Sequence, residues 1–279
     1  QPFIDGLFWF GPDATVAECL RTNATMRRAT LMRDKIYMAG VSPSYNSPNL
    51  RDHYGVEGYG VVWEGIIRDS ADWVEIVTWN DYNEDSHLMP YRWASPRMTE
   101  RQFNDHDESY LNATGYYANW YKSGRKPEIE QDRLIYAYRN RSVWLRRAWD
   151  VQKEQWVDIT AVPWPFDQIH DDAEDNIYVT TFLTAPARLT VELARRRHEF
   201  DQPAGVAHVR VPLQGGVPHF SLRRKDKELL SFLGRKRIID ARTQTKRNSA
   251  KGYHLLNRTC TGRAAAGPVA DTLEAETCT

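Results

Sequence analysis

The sequence contains little cysteine. Its 279 residues include only Cys19, Cys260 and Cys278, and none of these belongs to the C-x-x-C pair that is typical of structural zinc sites. A disulfide between Cys260 and Cys278 would close a loop near the end of the chain and leave Cys19 free, or paired with a cysteine outside these residues. Nothing in the sequence indicates a metal or another cofactor, so we expect none.

Long apolar runs and net charge are also missing. No apolar run approaches the ~20 residues that a helix needs to cross a bilayer. Lys+Arg and Asp+Glu both number 37, whereas proteins that bind nucleic acid or membrane surfaces usually carry net positive charge. The basic clusters at 195–197 and 235–237 have acidic neighbours and no aromatic platform, which disfavours a polyanion surface. We therefore expect neither a nucleic-acid nor a membrane partner.

The chain begins at Gln1 without a methionine or a signal-peptide pattern, as expected for a processed chain or a fragment. The acceptor pattern N-x-S/T occurs at Asn23, Asn112, Asn140 and Asn257. Each of these residues is a candidate glycosylation site if the protein is secreted. The repeated pattern favours a secreted or cell-wall protein.

Aromatic residues are abundant, with 10 Trp and 14 Tyr. Such side chains fill protein cores. They also line carbohydrate sites, because the apolar face of a sugar ring packs against an aromatic ring.

The first part of the chain alternates predicted strands with predicted helices. Three stretches are typical of buried strands that end in polar residues, at 3–10, 35–42 and 73–79. Helices are predicted over 14–32, 59–70 and 108–123, the last of them ending at Gly124, which is a suitable C-cap residue. This alternation predicts a parallel α/β arrangement, and more readily part of a barrel than a small complete sheet.

The pattern changes after about residue 132, and no internal repeat is visible. Short strands with apolar and polar residues in alternation are predicted at 134–138, 177–183, 188–193, 206–213 and 219–222, which is typical of an antiparallel β-sandwich. The expected organisation is an α/β part, a linker, a β-sandwich and a loosely ordered tail, over residues 1–124, 125–131, 132–246 and 247–279 respectively.

A polar, acidic loop directly follows the third predicted strand. The stretch VEIVTWNDYNE (74–84) begins with residues that suit a buried strand and ends with Asp81 and Glu84. Hydrolysis of a glycosidic bond needs two carboxyl groups, one that protonates the leaving group and one that activates water or attacks the sugar. Catalytic groups gather where the strands of a parallel barrel end. These two acids are therefore candidates, and Trp79, Tyr82 and His87 are suited to line the site.

Three simpler interpretations of this loop remain open. Asn, Asp and Glu after a strand also form ordinary solvated turns. Asp81, Asn83 and Asp85 imitate the start of a calcium-binding loop, but the glycine and glutamate that such a loop needs further on are both replaced. A single histidine such as His87 is more often structural than functional.

Several motifs, in order, resemble those of a known family. The stretch VEIVTWNDYNEDSH (74–87) resembles the signature of the fungal α-1,3-glucanases (mutanases) of glycoside hydrolase family 71, whose pattern is close to EIITWNDYGESHYI. Residues 4–8 are similar to the DGLFSW strand of that family and residues 37–43 to its YMxxVSPW strand. Residues 116–124 resemble its YYxxWYKTG helix, and residues 176–187 the start of its β-domain. The resemblance covers residues 1–225.

The resemblance implies an inverting endo-α-1,3-glucanase with a (β/α)₈ barrel and an accessory β-sandwich, acting on α-glucan polysaccharide. The catalytic acids of the family lie in the motif that matches Asp81 and Glu84, and we expect Glu84 to be the general acid and Asp81 the general base. An inverting mechanism requires carboxyl groups ~6.5–9.5 Å apart. The further residues expected to contact substrate are Asp5, Trp79, Asn80, Tyr82 and His87.

The sequence departs from the family pattern at three places in these motifs. Asn83 replaces a glycine, which the turn tolerates if asparagine adopts left-handed backbone angles. Asp85 is an extra residue, and Ser44 stands where the family has a tryptophan. In addition, the strand at 3–10 corresponds to about the sixth strand of the barrel, so the missing amino-terminal half of the barrel is an expected partner.

The first functional hypothesis is thus a secreted α-glucan hydrolase. The alternative is a non-catalytic polysaccharide-binding protein derived from such a hydrolase, in which the changed motif binds glycan without cleaving it. A third interpretation, a structural β-sandwich with a flanking α/β piece, predicts no glucan binding.

Overall fold

The computed structural model describes a large part of the chain, in two compact units. The described residues are 3–11, 14–46, 49–82, 84–90, 105–106, 108–140, 142, 147–150, 155–158, 168–169, 174–239 and 255–261. The first unit consists of residues 1–127 and 163–174, and the second of residues 128–162 and 175–279.

The elements up to residue 123 are, in chain order, β1 (Gly6–Phe8), α1 (Val16–Leu31), β2 (Ile36–Val41), β3 (Tyr45–Asn46), β4 (Asn49–Arg51), α2 (Val56–Arg68), β5 (Trp73–Ile76), β6 (Asp105–His106) and α3 (Ser109–Ser123). They are followed by β7 (Arg133–Arg139), β8 (Arg147–Asp150), β9 (Gln155–Asp158), β10 (Gln168–Ile169), β11 (Asn176–Leu183), β12 (Ala187–Leu193), β13 (Arg196–Gln202), β14 (Gly205–Pro212), β15 (His219–Arg224), β16 (Lys227–Leu233) and β17 (Leu255–Thr261).

The first unit contains a parallel sheet in the order β1-β2-β5. Its strands and helices confirm the predicted parallel α/β alternation. One face of the sheet is buried by the helices, because Tyr37, Ala39 and Val41 alternate along β2 and are all buried. A second, small sheet joins β3, β4 and β10.

The opposite face of the parallel sheet carries a row of apolar side chains. Met38 stands in register with Phe8 of β1 and with Trp73 of β5. Phe8 is 57% exposed and Trp73 58%. The described residues therefore leave this apolar face largely uncovered, whereas large apolar patches on folded proteins usually contact another surface.

Helix α1 begins with a capping box. Thr15 accepts a hydrogen bond from the Glu18 amide through its hydroxyl, and the Glu18 carboxylate accepts one from the Thr15 amide. These bonds satisfy amide groups that the helix leaves unpaired, and they explain why the helix begins at Val16.

Helices α2 and α3 pack through their aromatic side chains. The rings of Trp63 and Tyr117 are stacked, with centroids 6.5 Å apart, and the Tyr59 hydroxyl lies 2.7 Å from that of Thr114. Helix α3 ends at Gly124 in the left-handed region, with φ 66°, as predicted. Among the described residues, no helix is both long enough and apolar enough to cross a membrane.

The part of the second unit that the structure describes contains a two-stranded antiparallel sheet, β8-β9, and two larger antiparallel sheets. One has the order β14-β11-β7-β17 and the other the order β13-β12-β15-β16. Buried residues from both sheets form one hydrophobic cluster, in which Tyr136 of β7 stacks on Phe220 of β15 with centroids 4.7 Å apart. Such a stack of large rings contributes strongly to the stability of this core.

Strand β13 lies between two of the strands predicted from the sequence, and β16 follows the last of them. β13 is largely exposed and charged, so it lacks the apolar alternation that marks a strand with one buried face. It follows a tight turn at Ala194 and Arg195, both of which have positive φ. Arg197 of the basic cluster forms ion pairs with Glu192 and Glu199.

Strand β17 corrects the expectation of a loosely ordered tail for residues 255–261. These seven residues pair with β7 along their whole length, where they bury Cys260 in the core of the second unit. Cys260 is disulfide-bonded, and Cys19 is buried. Cys278, the expected partner, lies outside the described residues.

Asn23 is not an accessible glycosylation site. Its side chain is 3% exposed. It donates to the Gly40 carbonyl at 3.1 Å and accepts from the Tyr37 hydroxyl at 2.6 Å. The amide nitrogen that would carry a glycan is therefore engaged in holding α1 against β2, and the expectation for this residue was wrong.

Candidate active-site loop

The acidic loop is a closed turn that follows β5. The Val77 amide donates to the Val41 carbonyl, which extends the pairing with β2 by one residue. The Thr78 amide donates to the Ser86 carbonyl at 2.8 Å, and the Leu88 amide donates back to Thr78 at 2.9 Å. Since these bonds close the base of the loop, residues 80–82 and 84–85 project from the carboxyl end of the sheet. We call residues 78–89 the acidic loop.

Two side-chain contacts set the course of the backbone inside the acidic loop. The Thr78 hydroxyl accepts from the Asp81 amide at 3.0 Å, and the Asp81 carboxylate accepts from the Glu84 amide at 3.3 Å. Both are local side-chain-to-backbone bonds of the kind that threonine and aspartate form in turns. The structure therefore brings Asp81 and Glu84 together in one hydrogen-bonded turn. Asn83 lies outside the described residues, so its tolerance of this turn stays a prediction.

The extra residue Asp85 is accommodated by a left-handed backbone conformation. Its φ is 53°, a value that aspartate adopts more readily than most residues. The Asp85 side chain is buried, and its backbone carbonyl accepts a hydrogen bond from the Ser44 hydroxyl at 2.6 Å. The loop that follows β2 thus contacts the acidic loop directly.

His87 and Tyr82 lie beneath the acidic loop. Their ring centroids are 4.5 Å apart, and His87 is 0% exposed. Burial lowers the pKa of His87 to about 4, against the weaker opposing effect of a hydrogen bond with the Asp81 backbone. His87 is therefore a neutral ring at neutral pH. Both rings are buried within the loop, and their expected contact with substrate stays a prediction.

Trp79 and Asn80 are on the outer side of the loop. The Trp79 side chain is 51% exposed, and Asn80 is exposed as well. An exposed indole beside two carboxyl groups is suited to stack on a sugar ring.

The structure does not bring Asp5 to the acidic loop. Asp5 precedes β1, and its carbonyl accepts from the Ile36 amide at the start of β2. The acidic loop begins beyond Ile76, which is in register with Val41 at the end of β2. At ~3.3 Å per residue these two levels of the sheet are ~16 Å apart, so the expectation that Asp5 contacts the same substrate atoms is not supported.

The polar residues that position the loop are not predicted from the sequence. Thr78 lies at the end of a predicted strand, although a threonine three residues before an aspartate often caps a turn. Ser44 stands where the family has a tryptophan, and no local signal in the sequence shows which backbone group its hydroxyl contacts. Among the described residues, no group of three or more His, Cys, Asp or Glu side chains could hold a metal ion.

A sequence model of glycosyl hydrolase family 71 matches residues 2–253. The chain belongs to glycosyl hydrolase family 71. This match confirms the resemblance that the motifs indicate, and it includes the acidic loop with Asp81 and Glu84.

Individual proteins are also similar to this chain over most of its length. A mutanase of Penicillium rubens is 27% identical over 212 residues, which are 72% of this chain and 44% of the relative. A glucan endo-1,3-alpha-glucosidase of Schizosaccharomyces pombe is 25% identical over 215 residues, 74% of this chain and 47% of the relative. The chain thus spans about half the length of these curated relatives.

Two shorter or weaker similarities complete the comparison. An ascus wall endo-1,3-alpha-glucanase of Schizosaccharomyces pombe is 32% identical over 65 residues, 22% of this chain and 15% of the relative. Among solved structures, an endo-alpha-mannosidase of glycoside hydrolase family 99 from Bacteroides thetaiotaomicron aligns with a TM-score of 0.37 and 18% identity, covering 44% of this chain and 42% of that one. At this score the structural likeness carries no argument about the fold.

Proposed function

We propose that this chain is the carboxyl-terminal part of a hydrolase that cleaves α-1,3-glucosidic bonds of α-glucan. The observation that carries the proposal is the family 71 match over a chain whose two candidate carboxylates lie in one turn at the end of a parallel strand. The names of the relatives, a mutanase and a glucan endo-1,3-alpha-glucosidase, give the substrate class.

In the proposed mechanism, Glu84 protonates the leaving oxygen and Asp81 activates the attacking water. The bond from the Glu84 amide to the Asp81 carboxylate supports these roles, because it orients the carboxylate before substrate arrives. A reaction of this kind inverts the anomeric centre. Proton NMR of the first product formed from a soluble α-1,3-gluco-oligosaccharide tests this step, since inversion predicts the β-anomer and initial α-anomer would contradict it.

The proposed substrate contacts are Trp79 and Asn80, which are exposed beside the two acids. Trp79 would stack on the apolar face of a glucosyl ring. Tyr82 and His87 are buried beneath the turn, so we assign them the role of supporting the loop. No step of the proposed mechanism requires a metal or an organic cofactor.

For the fold, we propose that residues 1–124 are the carboxyl-terminal portion of a (β/α)₈ barrel. The apolar row Phe8–Met38–Trp73 supports this, because the corresponding face of a barrel sheet is filled by side chains of the other strands. The amino-terminal half of the barrel is then the partner that covers this face in the full-length protein. We further propose that the two larger antiparallel sheets of the second unit form an accessory β-sandwich, since their buried residues share one core.

We propose that the full-length protein is secreted or bound to the cell wall, where α-glucan is found. The acceptor pattern at Asn112 supports this proposal, because this residue is only partly buried. Mass spectrometry of the protein isolated from its natural source should detect a glycan there. Confinement of unglycosylated protein to the cell interior would contradict the proposal.

The experiment that tests the function is incubation of the full-length protein with insoluble α-1,3-glucan, with α-1,4-glucan as the control substrate. Release of reducing sugar from the α-1,3-glucan alone is expected. Binding to the glucan without release would support instead a non-catalytic polysaccharide-binding protein. Absence of both binding and release would overturn the assignment of substrate.

A further inference from the structure

Two separate segments of the first unit meet at a buried polar contact beside the proposed acids. The first is the serine corner, which we define as Ser42, Pro43 and Ser44, directly after β2. The second is the acidic loop after β5. The Ser44 hydroxyl donates to the Asp85 carbonyl at 2.6 Å, and both residues are buried.

The serine corner is itself held by hydrogen bonds. The Ser42 hydroxyl donates to the Ser44 carbonyl at 3.0 Å. The His53 ring lies with one nitrogen 3.1 Å from the Ser42 carbonyl and the other 2.9 Å from the Ala14 carbonyl. Ser42, Ser44 and His53 are buried, and these bonds join three different segments of the unit. The Ser44 hydroxyl therefore has a fixed position from which it donates to Asp85.

The carbonyl that Ser44 holds lies one residue after Glu84. Asp85 has a φ of 53°, so the backbone turns into the left-handed region immediately beyond the proposed acid. Residues other than glycine adopt this region uncommonly, and contacts with the surroundings help to hold them there. The bond from Ser44 supplies such a constraint, and it therefore controls the direction in which the Glu84 side chain leaves the backbone.

We infer that Ser44 is a positioning residue for Glu84 and that it acts through the Asp85 carbonyl. This inference rests on the proposed function, because Glu84 is the proposed general acid. Ser44 and Asp85 are two of the positions at which the sequence departs from the family pattern. Their contact shows that the two departures are coupled, with the serine hydroxyl anchoring the added residue.

Substitution of Ser44→Ala in the full-length protein removes the hydroxyl that donates to the buried Asp85 carbonyl. We expect kcat on soluble α-1,3-gluco-oligosaccharides to fall by about tenfold or more, because small displacements of a catalytic group are costly. KM should stay within about twofold, since Ser44 is buried and does not face substrate. Ser44→Cys, which keeps the volume and a weak donor, should give an intermediate kcat.

Thr30→Val is the matched control. The Thr30 hydroxyl is also buried and also donates to backbone carbonyls, those of Met26 and Arg27. Thr30 lies beside the start of β2, whereas Ser44 follows its end. Thr30→Val should therefore lower stability without changing kcat. A kcat for Ser44→Ala within about twofold of the wild type would overturn the positioning role.

A second readout separates this inference from the proposed function. Hydrogen exchange of the peptide that covers residues 78–89 should be about three- to tenfold faster in Ser44→Ala and unchanged in Thr30→Val. If the wild-type protein does not cleave α-glucan, the proposed function fails, and exchange still decides whether Ser44 anchors the loop. Equal exchange in Ser44→Ala and the wild type would show that it does not.

Discussion

The buried ring of His87 makes the stability of the acidic loop depend on pH. Burial lowers its pKa from 6.5 to about 4 in the folded protein. The unfolded chain therefore takes up a proton at a higher pH than the folded chain. The stability associated with neutral His87 is fully present above about pH 6.5 and is lost as the pH falls through 4.

The magnitude follows from the two pKa values. At pH 5 the preference of the unfolded state for the proton amounts to about 2 kcal/mol, and below pH 4 it approaches about 3 kcal/mol. His87→Gln replaces the ring with a side chain that does not titrate. The variant loses the packing against Tyr82 at every pH, so its free energy of unfolding is lower throughout. The effect of protonation is therefore measured as the change in the free energy of unfolding between two pH values.

We expect the free energy of unfolding of the wild type to fall between pH 7.5 and pH 5 by about 2 kcal/mol more than that of His87→Gln, measured by urea denaturation of the full-length protein. In parallel, NMR of ring-labelled histidine should show one signal, absent in His87→Gln, that titrates near pH 4. Titration of that signal near 6.5, or equal pH dependence of wild type and variant, would refute the reasoning.

Two further predictions concern the cores of the two units. Asn23→Ala should lower the free energy of unfolding by about 2–4 kcal/mol, because it leaves the Tyr37 hydroxyl and the Gly40 carbonyl without their buried partner. A loss below about 1 kcal/mol, measured by urea denaturation, would contradict this prediction. Phe220→Ala should cost about 3–5 kcal/mol, because Phe220 is fully buried and stacks on Tyr136. Leu233→Ala, at an exposed position of β16, is the control for Phe220→Ala. An equal decrease in the free energy of unfolding in the two variants would contradict this prediction.

Several elements of the first unit were predictable from the sequence. The helix over 14–32 was expected from apolar residues at roughly helical spacing, and it lies at Val16–Leu31, where the capping box begins it. The strand over 35–42 lies at Ile36–Val41 and pairs in parallel with its two neighbours. Gly124 ends α3 in the left-handed region as predicted, because glycine alone lacks the Cβ that opposes this conformation.

The remaining features depend on contacts between distant residues, which a local pattern does not contain. β17 has a mixed composition and becomes ordered through its pairing with β7, more than a hundred residues earlier in the chain. The bond from Ser44 to Asp85 joins two loops that neither local sequence relates. Asp5 belongs to a motif that matches the family pattern. The match alone does not show at which end of the parallel sheet Asp5 lies.

The central claim is that Asp81 and Glu84 act together on an α-1,3-glucosidic bond. The most direct measurement is the rate of reducing-sugar release from α-1,3-glucan by full-length Asp81→Asn and Glu84→Gln, with Glu64→Gln on the exposed side of α2 as the control. We predict a loss of at least about 100-fold in each of the two variants, with glucan binding and stability retained. The control should keep the wild-type rate. A wild-type rate in either Asp81→Asn or Glu84→Gln would contradict the account.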